Sequence, residues 1–123
     1  MEIDHTMRTY DGQCHCGAVR YQARTDLASM MDCNCTNCRR RGWVLQSVPA
    51  ADFRLLAGEG DLTTYRFNTG RIEHLFCRHC GIQPFARGRD GEGNELVMLN
   101  VNCLEGLPVI DRSTIMHWDG LHR

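Results

Sequence analysis

Lysine is absent: all 14 basic residues are arginine. That excludes a lysine Schiff base with carbonyl substrates and a P-loop for nucleotides. Long hydrophobic runs are absent too. The longest aliphatic run, Leu96-Val97-Met98-Leu99, is far short of the about 20 residues that a membrane-crossing helix needs. Neither sign of charge dominates: 14 basic side chains face 15 acidic ones, for a net charge of -1 and a pI near 6.6. There is thus no basic footprint for nucleic acid and no polybasic stretch for a membrane surface. The acidic start Met1-Glu2-Ile3-Asp4-His5 lacks the basic-then-apolar layout of a secretory signal, so the expected location is the cytoplasm. With three prolines, no repeat and no low-complexity linker, residues 1–123 are expected to form one domain around one core. No window holds a long 3.6-residue period, which excludes long helices.

Cysteine, by contrast, is abundant. Of eight cysteines, seven fall in tight groups: Cys14/Cys16, Cys33/Cys35/Cys38 and Cys77/Cys80. In a small secreted protein that number would suggest a disulfide framework, but no export signal supports one. Cysteines one residue apart rarely bridge each other, whereas knuckles with one or two intervening residues aim both sulfurs at a common centre. The spacing therefore points to metal. Seven thiolates suit two zinc ions, one held by four sulfurs and one by three. Rubredoxin-like iron or a redox dithiol fits less well, because a group of three matches neither a four-cysteine iron site nor a two-cysteine couple.

Around the knuckles the pattern is β. Residues 7–10 predict an opening strand that ends in a turn at Asp11-Gly12. Residues 18–24 alternate small or apolar with polar side chains, the period of a half-buried strand. Short strands are predicted over 27–32, 43–48 (stopped by Pro49) and 53–56, with a single helical turn over 36–41. Residues 62–67 and 71–76, joined by Asn68-Thr69-Gly70, predict a hairpin. A strand over 82–86 contains Pro84, which suits an edge or a bulge. A polar loop over 88–94 precedes the strongest strand, 95–101, and a last one is expected near 115–118 after Pro108. The expected class is all-β, with short strands and metal knuckles at their ends.

Physical reasoning gives the closed four-sulfur site to the outer knuckles. Gly12, Gly17 and Gly81 flank them, and glycine tolerates positive φ and lets backbone N–H groups approach sulfur. A clip between positions so distant in sequence restrains a long loop of the unfolded chain. A structural zinc also contributes apparent folding free energy on the order of 10 kcal/mol or more. The triplet Cys33-Asn34-Cys35-Thr36-Asn37-Cys38 would then keep three ligands and one exchangeable position, the arrangement of catalytic zinc. Spacing leaves open a second closed structural site completed by a histidine, Asp32 or Cys103, and does not fix which knuckles pair.

Arg39-Arg40-Arg41 follows the triplet directly. Such a run is ordinarily a solvated face, but beside an open metal position Arg39 and Arg40 suit the carboxylates of an anionic thiol. Cys103 reads as a small buried apolar residue. His15 and His79 read as turned away from the metal, and His74 as a surface residue on a strand. His117 beside Trp118 reads as core packing, with a pocket wall as the second option.

Taken in order, Gly12-x-Cys14-x-Cys16-Gly17, Cys33-x-Cys35-x-x-Cys38 and Phe76-Cys77-x-x-Cys80-Gly81 resemble the glutathione-dependent formaldehyde-activating enzyme family, which includes centromere protein V-like members. Leu99-Asn100-Val101-x-x-Leu104 and the ending Trp118-Asp119-Gly120 are similar to that family as well, so the resemblance covers nearly the whole chain. It implies an Mss4-like, all-β fold. It implies a structural zinc on Cys14, Cys16, Cys77 and Cys80, and a second, catalytic zinc on Cys33, Cys35 and Cys38. The implied reaction joins formaldehyde and glutathione to S-hydroxymethylglutathione, formally a carbon–sulfur lyase run in reverse. The expected partners are a glutathione-like small thiol and a carbonyl substrate.

A thiol entering the fourth position on zinc would lose its proton near neutral pH. Arg39 or Arg40 would hold the anion nearby, and His117 is the candidate general acid. Three thiolates already overcompensate Zn²⁺, which mutes a further thiolate as a nucleophile. The alternative expectation is therefore a non-catalytic two-zinc module that binds glutathione or a protein partner.

Overall fold

The computed structural model describes residues 6–67, 69–107 and 112–121. The acidic opening residues 1–5, Asn68 of the predicted turn and Pro108 lie outside them. In chain order the elements are β1 (Arg8–Gln13), β2 (Arg20–Thr25), β3 (Met31–Cys33), α1 (Thr36–Arg41), β4 (Leu45–Pro49), β5 (Phe53–Ala57), β6 (Leu62–Tyr65), β7 (Glu73–Cys77), β8 (Phe85–Arg89), β9 (Glu95–Asn100) and β10 (Met116–Trp118). Burial follows the sequence period where the sequence has one. In β2, Tyr21, Ala23 and Thr25 are buried while Arg20 and Arg24 face out, as a pleat of period two requires.

The strands form two sheets, ordered β1-β2-β5 and β10-β3-β4-β9-β8-β7-β6. Their ladders are antiparallel, save that β10 runs parallel to β3. This confirms the mainly β expectation and adds a parallel pair at one edge. The core between the sheets is an aromatic cluster. Ring centroids of Tyr21, Phe53 and Phe85 lie 4.7 to 5.7 Å apart, and Tyr21 and Phe85 are fully buried. A fully buried ring of this size stabilises the fold by about 2–3 kcal/mol. The Tyr21 hydroxyl donates to the Pro84 carbonyl at 3.1 Å, which ties the small sheet to the segment entering β8.

The strand predicted over 27–32 shortens to Met31–Cys33, after a turn that Leu27 enters at φ 56°, and three further predicted boundaries shift for a local reason. The turn expected at Asp11-Gly12 is strand instead, because Gly12 pairs with Tyr21 and Gln13 with Arg20. Gly12 is needed there for space: a Cβ would run into the Tyr21 ring. Pro84 stands before β8 rather than inside a strand. β8 then runs on through Gly88 and Arg89, which pair with Leu96 and Glu95. The loop tightens accordingly around Asp90, whose carboxylate accepts from the N–H groups of Glu92 and Asn94. Pro49 closes β4 opposite Leu96 rather than following it.

Two side-chain expectations are overturned. His74 is buried, since the Phe67 ring stacks on it and the Gln83 and Asn37 side chains close over its Nδ1. His117 and Trp118 do not pack in the core, because β10 is an exposed edge strand.

Candidate metal centres

The two outer knuckles meet. The sulfurs of Cys14, Cys16, Cys77 and Cys80 all lie within 4.8 Å of one another. Cys16 Sγ stands 3.7 Å from Cys14 Sγ and 3.6 Å from Cys77 Sγ. A tetrahedron with metal–sulfur bonds of about 2.3 Å sets its sulfurs about 3.8 Å apart, whereas a disulfide sets them about 2.05 Å apart. All eight cysteines are free thiols. The spacing fits a four-sulfur metal site and no disulfide.

Strand ends and glycine turns make this geometry. Cys14 follows β1 and Cys77 ends β7, while Gly17 (φ 80°) and Gly81 (φ 81°) supply the left-handed turns that bring Cys16 and Cys80 round. The Val19 N–H donates to Cys14 Sγ at 3.4 Å. The expected use of glycine in the knuckles therefore holds for Gly17 and Gly81, whereas Gly12 serves the Tyr21 ring. Within the cluster the Cys80 thiol is drawn down to about 6. Burial is the largest single influence and acts upward. The N–H groups of Cys16 and Ile82 and the thiols of Cys77 and Cys14 together outweigh it. For Cys16 the Ala18 N–H pulls down most strongly, yet burial and its three sulfur neighbours lift it to about 11.

The triplet gathers at the other end of the molecule's sequence logic, where a strand runs into a helix. Cys33 ends β3, Cys35 caps the start of α1 and Cys38 lies within it. The Cys38 N–H donates to Cys35 Sγ at 3.3 Å and the Cys35 N–H to Cys33 Sγ at 3.4 Å. Gly42 (φ 65°) ends the helix with its N–H on the Cys38 carbonyl. The three sulfurs lie within 4.8 Å of one another. Among the described residues no histidine, aspartate or further cysteine joins them, Asp32 and Cys103 included.

Burial is the largest influence on both Cys35 and Cys38, and it decides only one of them. The Cys35 thiol is held below its ordinary value, because the Cys38 and Asn37 N–H groups and the two other thiols outweigh burial. The Cys38 thiol is pushed up to about 12 by burial, against a downward pull from the Trp43 indole. That indole Nε1–H is buried, and the Cys38 thiol is the acceptor it bears on.

The chain's last strand clamps this loop. Trp118 is the register partner of Cys33, and the Asn34 N–H donates to the Trp118 carbonyl at 3.1 Å. Asn34 Nδ2 donates to Asp119 Oδ1 at 3.0 Å, and the Leu121 N–H donates back to Asn34 Oδ1 at 2.9 Å. Gly120 packs directly on the sulfurs: a Cβ there would stand 2.5 Å from Cys33 Sγ and 3.2 Å from the Cys35 Cβ. The ending Trp118-Asp119-Gly120 thus has a physical reason, which is to shape the triplet.

A cleft of about 340 Å³ opens beside the triplet, with Asp32, Cys33, Cys38, Arg39, Trp43 and Arg112 in its wall. Arg39 lines this cleft. Arg40 is not in this wall; it lines a separate hollow with Tyr65 and Phe67. Sequence reasoning missed Arg112, which reaches the cleft only because its turn leads into the parallel strand β10. His117 Nδ1 stands 2.7 Å from Asp32 Oδ1, so the candidate general acid is anchored to a cleft residue while its own ring is mostly exposed.

Remaining residues fall outside both cysteine groups. His79 Nε2 pairs with Asp61 at 2.8 Å, and His15 is exposed, as expected. Cys103 is buried, and burial with the nearby Cys14 and Cys80 pushes its thiol up to about 12. His74 Nδ1 lies 3.2 Å from Gln83 Nε2 and 3.5 Å from Asn37 Nδ2. Burial, with Arg41 adding, holds that imidazole below its ordinary value.

Comparison with known proteins matches this arrangement. A sequence profile described as "Glutathione-dependent formaldehyde-activating enzyme" matches residues 9–117, which include both cysteine groups. The crystal structure of a Rhodobacter sphaeroides protein is 35% identical, with a TM-score of 0.74 over 88% of this chain and 98% of that one. On that match the chain belongs to the glutathione-dependent formaldehyde-activating enzyme family.

Proposed function

We propose that residues 1–123 form a single-domain, two-zinc enzyme of the cytoplasm that joins a glutathione-like thiol to formaldehyde. In the reverse direction it acts as a carbon–sulfur lyase on the S-hydroxymethyl adduct. The observation that supports this most is a three-sulfur group opening on an arginine-walled cleft. Cys14, Cys16, Cys77 and Cys80 would hold the structural zinc, and Cys33, Cys35 and Cys38 the second; free thiols within 4.8 Å of one another fit both. Zinc bound at the triplet supplies the positive charge that favours the thiolate form of an incoming thiol near neutral pH.

The chain's own residues do the rest. Arg39 and Arg112 bind the carboxylates of the anionic thiol at the cleft wall. Trp43 and Val44 close one side of the cleft and exclude water from the sulfurs. The thiol sulfur gives up its proton to solvent, its electron pair forms the C–S bond as the C=O π bond breaks, and the former carbonyl oxygen takes a proton. His117, held by Asp32, donates that proton and recovers one from solvent through its exposed ring. Glutathione is abundant in the cytoplasm, where thiols stay reduced.

The test is metal content with activity. Wild-type protein should hold two zinc per chain and accelerate adduct formation from glutathione and formaldehyde, whereas Cys35→Ala should hold one and accelerate nothing. A Cys35→Ala protein that keeps two zinc would show that Cys35 is no ligand. Should wild-type protein bind glutathione with no rate above the uncatalysed one, the chain is a thiol-binding module and the enzyme reading fails.

A further inference from the structure

Helical geometry gives α1 two working faces. Cys38 and Arg39 look towards the cysteine cleft, while Thr36, Asn37, Arg40 and Arg41 cluster on the opposite side of the 100°-per-residue wheel. On that second side lies a hollow of about 360 Å³ between these four residues and the pair Tyr65 and Phe67. Nothing in the proposed chemistry uses it.

Its two walls have complementary chemistry. Tyr65 and Phe67 are stacked, with centroids 5.7 Å apart and planes 24° from parallel. Phe67 in turn stacks on the His74 ring at 5.2 Å and 26°. The ladder of three rings is buried at its His74 end and open at its Tyr65 end, where the tyrosine is 47% exposed. Exposed stacked rings on an edge strand are a ready surface for a further flat ring. Facing them, Arg40 has no hydrogen-bond or ion-pair partner among the described residues. Arg41 is held in place by its Nε donating to Asn37 Oδ1 at 3.1 Å, with its guanidinium 5.9 Å over the Phe76 ring. Among the described residues no acidic side chain lines the hollow, so Arg40 is left for a ligand, with Arg41 fixed beside it.

We propose that this hollow binds a flat aromatic anion. The ring extends the stack on Tyr65 and Phe67, and its carboxylate, or an acid group of like shape, takes the guanidinium of Arg40 with Arg41 beside it. The site does not depend on the zinc chemistry, since it shares no cysteine with either cluster.

The experiment is an NMR titration of the full zinc-loaded chain with three small probes: naphthoate, the neutral naphthalenemethanol and the non-aromatic cyclohexanecarboxylate. Naphthoate should bind roughly tenfold more tightly than either comparator, because it alone satisfies both walls. Amide shifts should centre on Thr36, Asn37, Tyr65 and Phe67 and spare Trp43 and Val44 of the cysteine cleft. Arg40→Gln should weaken naphthoate to the level of the neutral probe, and Tyr65→Leu to that of cyclohexanecarboxylate. Both side chains are exposed, and an unchanged melting temperature verifies that the variants fold. No binding, equal binding of the three probes, shifts centred on the cysteine cleft, or folded variants that bind like wild type would each overturn the proposal.

Discussion

Gly120→Ala adds one methyl group and nothing else, yet it should weaken metal binding at the triplet alone. The new Cβ would stand 2.5 Å from Cys33 Sγ and 3.2 Å from the Cys35 Cβ. Carbon and sulfur settle no closer than roughly 3.5 Å, so one of them must retreat by about 1 Å. Metal sites tolerate ligand displacements of only about 0.2 Å. If Cys33 retreats, the three sulfurs no longer converge. If the C-terminal segment retreats instead, it strains the Asn34–Asp119 and Leu121–Asn34 hydrogen bonds that brace the loop between Cys33 and Cys35. Overpacking of this kind costs about 1–3 kcal/mol, which corresponds to roughly a 5- to 150-fold loss of affinity if it falls wholly on the metal-bound state. Competition with a chromophoric chelator should resolve two zinc ions released per chain. In Gly120→Ala the weaker one should leave at lower chelator concentration while the tighter one is unchanged. Two unchanged affinities would refute the claim that Gly120 shapes the triplet, and two weakened ones would show that the effect is global.

Gly12→Ala should do the reverse: it drives a Cβ into the Tyr21 ring, so the melting temperature should fall by the equivalent of about 1–3 kcal/mol while triplet affinity holds in whatever fraction stays folded. His74 predicts a pH dependence. Its folded pKa lies below the ordinary 6.5 because burial disfavours the cation. The unfolded chain therefore binds more protons at that position, and its contribution to stability is lost as pH falls from 6.5 towards the folded value. Melting temperatures of zinc-saturated protein should drop more steeply between pH 7 and about pH 5 in wild type than in His74→Leu. Parallel slopes would mean that His74 does not titrate with unfolding.

Much of this was legible in the sequence, and the reasons are local. The alternation at Ala18–Arg24, and the Thr-, Tyr- and Phe-rich run at 62–67 with its partner at 71–76, are local signals that need no tertiary information, and β2 and the β6–β7 pair lie there with ends shifted by one or two residues. Cysteine spacing marked the two knuckles and the triplet because their geometry is set by one or two intervening residues, and the fold supplied the meeting of the outer knuckles. What stayed hidden depends on distant partners. The parallel pairing of β10 with β3 joins residues 85 apart, and with it came Arg112, the Asn34 clamp and the role of Gly120. His74 looked like a surface position because one strand's pattern does not reveal that the Phe67 ring and the Asn37 and Gln83 side chains cover it. Arg39 and Arg40 looked equivalent as neighbours in a charge run, yet a 100° turn of the helix sends them to different hollows. Gly12 resembled a metal-loop glycine, and only the packed core showed the ring it makes room for.

The central claim is that the triplet is a three-sulfur site whose fourth position accepts a thiol, beside a closed four-sulfur site. Cadmium NMR of the cadmium-loaded protein tests it most directly, because the shift reports how many sulfurs surround each ion. Two resonances should appear, one typical of four sulfurs and one of three sulfurs with an oxygen. Added glutathione should move only the second, towards the four-sulfur position. Two four-sulfur resonances that glutathione leaves in place would contradict the claim.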